Sequence, residues 1–168
     1  MATTPHVSAT KSNVTSSGAL RVGQPAPDVR LLDDEGRAVR LADFRGKQVV
    51  LYFYPKDDTP GCTTEACSFR DGAAQWRQRG AVVLGVSVDS VESHKQFKAK
   101  YRLNFPLLSD AEKRVVQAYG VWKEKSMYGR TYMGIERTTF LVDHEGKIAR
   151  IFPKVKVEGH LDEVLAAL

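Results

Sequence analysis

Two unbroken apolar runs constrain the fold of this chain more than any other feature: residues 49–54 and residues 81–88. Both are short and rich in β-branched or aromatic side chains, which is typical of strands buried on both faces, as in a parallel sheet. The segment between them has a helical period, with apolar residues at four-three-four-three spacing. The members of this stripe are Cys62, Ala66, Phe69, Ala73 and Trp76. We expect a helix from Cys62 to about Gly80, and hence a βαβ unit with a right-handed crossover.

Shorter patterns predict the remaining elements. Residues 29–32 and 38–41 flank the turn-forming residues 33–36, which predicts an N-terminal β-hairpin. The other predicted elements are a helix from Asp89 or Ser90 to Tyr101, a strand over 105–108, a helix opened by a capping box at 109–112 and closed by Gly120, two antiparallel strands over 137–142 and 147–152, and a helix over 160–168. A βαβ half followed by a ββα half is the thioredoxin-like arrangement, an α/β fold.

The chain is expected to form one domain preceded by a tail. Residues 1–22 carry eight Ser or Thr in their first twenty positions and show no hydrophobic period, so we expect a disordered tail. The pattern does not decide between a native extension and a targeting segment. Residues 23–168 form the predicted domain.

Charge and hydropathy exclude several function classes. The net charge is +5, and outside the tail 23 basic residues face 20 acidic ones, so a nucleic-acid partner is not expected. No apolar run approaches the roughly 20 residues of a membrane span. With no secretory signal pattern either, the cytoplasm is the expected location.

The two cysteines lie where a strand gives way to a helix. Cys62 is predicted in the first helical turn, on the face turned toward the core. Unpaired backbone N–H groups and the positive end of the helix dipole stabilise a thiolate there, so Cys62 is a candidate nucleophile. The alternative is a cysteine that acts as a small buried hydrophobe.

Cys67 follows five residues later. In an intact helix the two Cα atoms would be roughly 8–9 Å apart, whereas a disulfide needs them within about 7 Å. If the pair is a redox couple, the helix must therefore unwind locally. Two cysteines at this spacing and four scattered histidines are poor evidence for a zinc site, and no metal is expected.

The residues around Cys62 resemble a known active-site pattern. Pro55-x-x-x-Thr59-x-x-Cys62 matches the motif of the peroxiredoxins, and the longer stretch from Tyr54 to Cys67 resembles their Q-type subgroup, also called bacterioferritin comigratory protein. The resemblance covers residues 23–168. It implies a thioredoxin-like fold with a central mixed sheet flanked by helices, an N-terminal β-hairpin, and a peroxidase that uses cysteine without any cofactor.

The resemblance also implies a role for each site residue. Cys62 would be the peroxidatic cysteine, whose thiolate attacks a peroxide and becomes a sulfenic acid, and Cys67 the resolving cysteine. The Thr59 hydroxyl would reach both the thiolate and the peroxide across the turn, and Pro55 would end the strand and wall off the pocket. Arg137 matches the position of the arginine that stabilises the developing charge. Hydrogen peroxide and small organic hydroperoxides are the implied substrates, thioredoxin or a glutaredoxin-like protein the reductant, and a monomer or weak homodimer the assembly.

Two other functions are weighed beside this one. A thiol-disulfide oxidoreductase would also use two cysteines, but such enzymes have Cys-x-x-Cys spacing. A redox-sensing interaction protein could use the same local unwinding to expose a binding surface. Sustained turnover of peroxide separates an enzyme from such a sensor.

Overall fold

The computed structural model describes residues 19–168, so the predicted tail over 1–22 lies almost wholly outside the described residues. The strands are β1 Arg30–Asp33, β2 Ala38–Arg40, β3 Gln48–Phe53, β4 Ala81–Ser87, β5 Leu107–Ser109, β6 Trp122–Met127, β7 Arg130–Ile135, β8 Thr138–Val142 and β9 Ile148–Phe152. The helices are α1 Pro60–Asp71, α2 Ala73–Gln78, α3 Val91–Tyr101, α4 Arg114–Ala118 and α5 His160–Ala167, and a 3-10 helix spans Leu41–Phe44. Within residues 19–168, no helix has the length and hydrophobicity needed to cross a bilayer.

Seven strands form one mixed sheet in the order β2-β1-β5-β4-β3-β8-β9. β3 and β4 pair in parallel, as the βαβ prediction requires, while β8 pairs antiparallel with the other edge of β3. Side chains from the two faces of the sheet fill two separate hydrophobic clusters, one around Tyr52 and one around Phe53. Because both faces are covered, the central strands are buried throughout. The predicted thioredoxin-like fold, with its N-terminal hairpin β1–β2, is confirmed.

The helix predicted from Cys62 to about Gly80 is in fact two helices. The break falls at Gly72, whose ψ of 8° departs from helical geometry. A Cβ at this position would lie 2.7 Å from Cδ2 of Leu161, so Gly72 allows α5 to pack closely here. The predicted apolar stripe is nevertheless buried along both helices.

The predicted capping box over 109–112 is wrong. The Ser109 hydroxyl donates instead to the Asp89 carbonyl, at 2.6 Å. The helix begins later, after Lys113 in the left-handed region, and the Asp110 carboxylate accepts a hydrogen bond from the Val116 amide at 2.7 Å. Gly120 follows the helix with a φ of +71°, as its predicted role requires.

The hairpin of β6 and β7 was not predicted. Within the described residues its strands pair only with each other, outside the main sheet. Tyr128 and Gly129 both have positive φ, as a two-residue hairpin turn requires. Most of its residues are exposed, so the sequence has no alternation of apolar and polar positions to reveal it. The hairpin ends at Ile135, two residues before Arg137, and so borders the region around Cys62.

Candidate active site

Cys62 occupies the first turn of α1. Thr59 is the N-cap residue and Pro60 the first helical residue, where its missing N–H costs nothing. Cys62 is third in the helix and only 1% exposed. Backbone N–H groups in a first turn have no partner inside the helix, so the positive helix end faces this side chain.

Arg137 contacts the sulfur from the other side. Phe53, the last residue of β3, pairs with Thr138, the first residue of β8, so Arg137 lies beside the start of α1. Its Nη2 donates to Sγ of Cys62 at 3.4 Å. The resemblance placed Arg137 here, and β-sheet pairing explains how a residue 75 positions away reaches the sulfur.

Glu65 is a member of this site that the sequence reasoning missed. Nη1 of Arg137 donates to Oε1 of Glu65 at 2.6 Å, and the glutamate is 1% exposed. Burial raises the pKa of Glu65 to about 7, although the Arg137 guanidinium pulls that pKa down. The signal in the sequence was its spacing, since a residue one turn after Cys62 shares the buried face of the helix.

Gly61 leaves room for the guanidinium. A Cβ at this position would lie 3.2 Å from Nη2 of Arg137, closer than an ordinary van der Waals contact. Gly61 thus has a steric role beside the sulfur.

We therefore expect Gly61→Ala to slow the reaction of Cys62 with peroxide about tenfold, because the guanidinium must shift away from the sulfur. Stability should be unchanged or raised by up to about 1 kcal/mol, because alanine favours a helix. Stopped-flow oxidation and chemical denaturation measure the two effects. Thr64→Ala, an exposed change on the same turn, is the control, and an unchanged rate in Gly61→Ala would refute this role.

Thr59 and Pro55 lie in the loop between β3 and α1. The Thr59 hydroxyl donates to the Lys56 carbonyl at 2.9 Å, and the structure shows no hydrogen bond from it to the Cys62 sulfur among the described residues. Its oxygen keeps lone pairs that can accept a hydrogen bond. Pro55 follows the end of β3 and has no N–H to offer.

A buried polar network fixes this loop to α3. The Asp57 carboxylate accepts hydrogen bonds from the hydroxyls of Tyr54 and Ser93, at 2.6 and 2.8 Å, and contacts Nδ1 of His94 at 2.7 Å. The other ring nitrogen of His94 faces the Leu108 carbonyl at 3.0 Å, so both nitrogens point at acceptors. Because Asp57 lies between Pro55 and Thr59, these hydrogen bonds anchor the middle of the loop that carries both residues.

The same network includes three groups close enough to suggest a metal site: Asp57, Asp89 and His94. Hydrogen bonds within the protein account for their positions. Oδ2 of Asp89 accepts from the Asp57 amide at 2.8 Å and from the Ser87 hydroxyl at 2.7 Å. The cluster is better explained as a structural tether than as a set of metal ligands.

Lys125 of β6 adds positive charge near the site. Its side chain lies across Gly134, with Cδ 3.3 Å from the Cβ position there. Burial and then the Arg137 charge lower the pKa of Lys125, while Cys62 and Glu136 act against them. The hairpin thus brings a second cation within electrostatic range of the sulfur.

Cys67 is half-buried on the same continuous helix as Cys62, and both cysteines are free thiols. Since α1 is regular from Pro60 to Asp71, the helical separation of roughly 8–9 Å between the two Cα atoms applies. A bond between the sulfurs still requires α1 to open. The resolving role of Cys67 stays a prediction.

A family model and the curated relatives that match this chain identify the same kind of protein. The model of the AhpC/TSA family matches residues 22–151. A putative peroxiredoxin bcp from Coxiella burnetii is 55% identical over 150 residues, covering 89% of this chain and 99% of the relative. Peroxiredoxin Bcp from Bacillus subtilis is 52% identical over 149 residues, covering 89% and 95%.

Solved structures agree with the sequence relatives. The bacterioferritin comigratory protein of Xanthomonas campestris has a TM-score of 0.82 at 44% identity, covering 88% of this chain and 96% of that one. A mutant of Xylella fastidiosa PrxQ has a TM-score of 0.84 at 40% identity, covering 89% and 95%.

Proposed function

The chain belongs to the AhpC/TSA family and is a Bcp-type peroxiredoxin, a thiol-dependent peroxidase, and from this premise we propose a role for each site residue. Cys62 is the peroxidatic cysteine and Cys67 the resolving cysteine. Arg137 stabilises the thiolate and the charge that develops on the peroxide. The Thr59 hydroxyl reaches the peroxide across the turn, its oxygen accepting a hydrogen bond, and Pro55 walls off the pocket over the sulfur.

The first step forms a sulfenic acid. The Cys62 thiolate attacks the terminal oxygen of ROOH, an S–O bond forms and the O–O bond breaks, and the departing RO⁻ takes a proton to become ROH. Negative charge moves from sulfur toward the leaving oxygen. A fixed guanidinium beside both atoms lowers the energy of that transition state.

The second step forms a disulfide. After α1 opens, the Cys67 thiolate attacks the Cys62 sulfur, an S–S bond forms, the S–O bond breaks, and hydroxide leaves as water on protonation. A dithiol donor then reduces the disulfide by exchange. We propose thioredoxin or a glutaredoxin-like protein as this donor and the cytoplasm, which keeps thiols reduced, as the compartment.

One observation carries this proposal: Arg137 donates to the Cys62 sulfur in the first turn of a helix. A cysteine that only filled space would need no half-buried cation beside it. We propose hydrogen peroxide and small organic hydroperoxides as substrates, since the similar bacterioferritin comigratory protein of Xanthomonas campestris has alkyl peroxide reduction activity.

Coupled NADPH consumption with thioredoxin and its reductase tests the cycle. We expect Cys67→Ser to form the sulfenic acid at the wild-type rate but to turn over at least about tenfold more slowly with thioredoxin, because no disulfide is formed for exchange. A small thiol should restore turnover. Full thioredoxin-dependent turnover in Cys67→Ser would contradict the resolving role.

A further inference from the structure

We propose that Glu65 is a positioning residue whose ionisation favours the opening of α1, and so sets how fast Cys67 reaches the oxidised Cys62. The proposal rests on the function proposed above, in which the two cysteines form a disulfide. It gives a role to a buried acid that the chemistry of peroxide cleavage does not use.

The position of Glu65 in α1 is the first observation that supports this proposal. It lies three residues after Cys62 and two before Cys67, inside the segment that must unwind. It is 1% exposed, and Oε1 accepts one hydrogen bond, from Arg137. Oε2 is buried and has no hydrogen-bonding partner among residues 19–168. Opening α1 would give both oxygens access to water.

Among residues 19–168, the groups packed around Glu65 supply a single positive charge in direct contact with it. Arg137 comes from the loop before β8, and Tyr52 comes from β3. The Tyr52 hydroxyl is also buried without a partner among the described residues, and burial, followed by the charge of Glu65, raises its pKa. Lys125 and His160 lie farther out, within electrostatic range of Arg137. The same arginine donates hydrogen bonds to both Cys62 and Glu65.

The burial of Glu65 in the closed helix determines whether its ionisation favours the open or the closed form of α1. In the closed helix burial holds the pKa of Glu65 at about 7, whereas an exposed glutamate has a pKa near 4.3. The protonated form therefore favours the closed helix and the ionised form favours the open one. As the pH rises from about 4.5 to about 7, opening should become easier.

Glu65→Gln separates this effect from loss of the Arg137 contact. The amide oxygen of glutamine can still accept from Arg137, and the side chain keeps its size but cannot ionise. Its opening should stay at the level of the protonated glutamate at every pH. Glu124→Gln, an exposed change in β6, is the matched control.

Rapid quench and mass measurement of the disulfide give the resolving rate at a saturating peroxide concentration, where this step no longer depends on peroxide. We expect the wild-type rate divided by the Glu65→Gln rate to rise about tenfold or more between about pH 5 and about pH 7.5. The ionisation of Cys67 changes the resolving rate of both proteins equally, so its effect cancels in this ratio. Glu124→Gln should follow the wild type, and a constant ratio for Glu65→Gln would overturn the proposal.

Hydrogen exchange of α1 amides in the reduced proteins tests opening without any chemistry. The proposal expects wild-type exchange to exceed that of Glu65→Gln increasingly as the pH rises, and equal exchange at all pH values would overturn it. If the wild type forms no disulfide at any pH, the resolving role of Cys67 is wrong. The exchange ratio still decides whether Glu65 controls opening, so the two failures are distinguishable.

Discussion

Replacing Cys62 by serine is expected to lower peroxide turnover by about three orders of magnitude or more, to the level of solution without protein. A serine hydroxyl is not ionised near neutral pH, and its oxygen cannot accept the peroxide oxygen as sulfur does. NADPH-coupled turnover and direct peroxide consumption both measure the loss. Cys67→Ser is the matched control for direct peroxide consumption in a single turnover, because it removes the other thiol and leaves the first step intact.

The serine variant must also be shown to fold. Cys62 is buried, so its replacement by a hydroxyl should cost about 1–2 kcal/mol of unfolding free energy, and denaturation should still be cooperative. A folded Cys62→Ser protein with wild-type turnover would place the chemistry elsewhere in the chain.

Removal of Arg137 has the second-largest expected effect. Arg137→Gln should slow sulfenic acid formation about a hundredfold to a thousandfold, because the cation that stabilises developing negative charge is lost. Stopped-flow oxidation at several peroxide concentrations measures this rate. A rate within a factor of two of wild type would refute the role of Arg137.

The same change should destabilise the fold, and it should do so in a pH-dependent manner. Without Arg137 the buried Glu65 contacts no cation in the described part of the chain, and we expect this to cost about 2 kcal/mol above pH 7. At pH 5 the cost should be smaller, because a glutamate with a folded pKa of about 7 is already protonated. In the intact protein, the stabilisation from protonated Glu65 is likewise lost as the pH rises through about 7.

A double variant separates the loss of oxidation rate in Arg137→Gln from its loss of stability. Glu65→Gln combined with Arg137→Gln removes the uncompensated carboxylate, so most of the stability above pH 7 should return. The oxidation rate should stay low, because the cation is still missing. Recovery of the rate together with the stability would show that Arg137 acts only by maintaining the fold.

Local periodicity predicted the centre of the fold. The apolar runs that became β3 and β4, and the stripe that begins at Cys62, each depend on residues close in sequence. The break at Gly72 could not be predicted in this way, because its physical cause is the approach of Leu161 from α5. The capping box failed for a similar reason, since the Ser109 hydroxyl bonds to a distant carbonyl.

The residues of the site were likewise predicted only in part. The motif placed Pro55, Thr59 and Cys62 together where a strand ends and a helix begins, and the resemblance placed Arg137 beside the sulfur. Glu65 was visible only as a charged residue on a buried face, and its partner could not be derived from spacing. The link from Asp57 to His94 joins residues 37 positions apart, and only the pairing of strands and the packing of α3 bring them together.

The most direct test of the cycle is the intact mass of the protein, under non-reducing conditions, after one equivalent of hydrogen peroxide. We expect one chain to lose two hydrogens, with peptide mapping that joins Cys62 to Cys67. A stable gain of one or two oxygens on Cys62, with Cys67 still a free thiol, would contradict the resolving role. An unchanged mass would contradict the peroxidatic role of Cys62 as well.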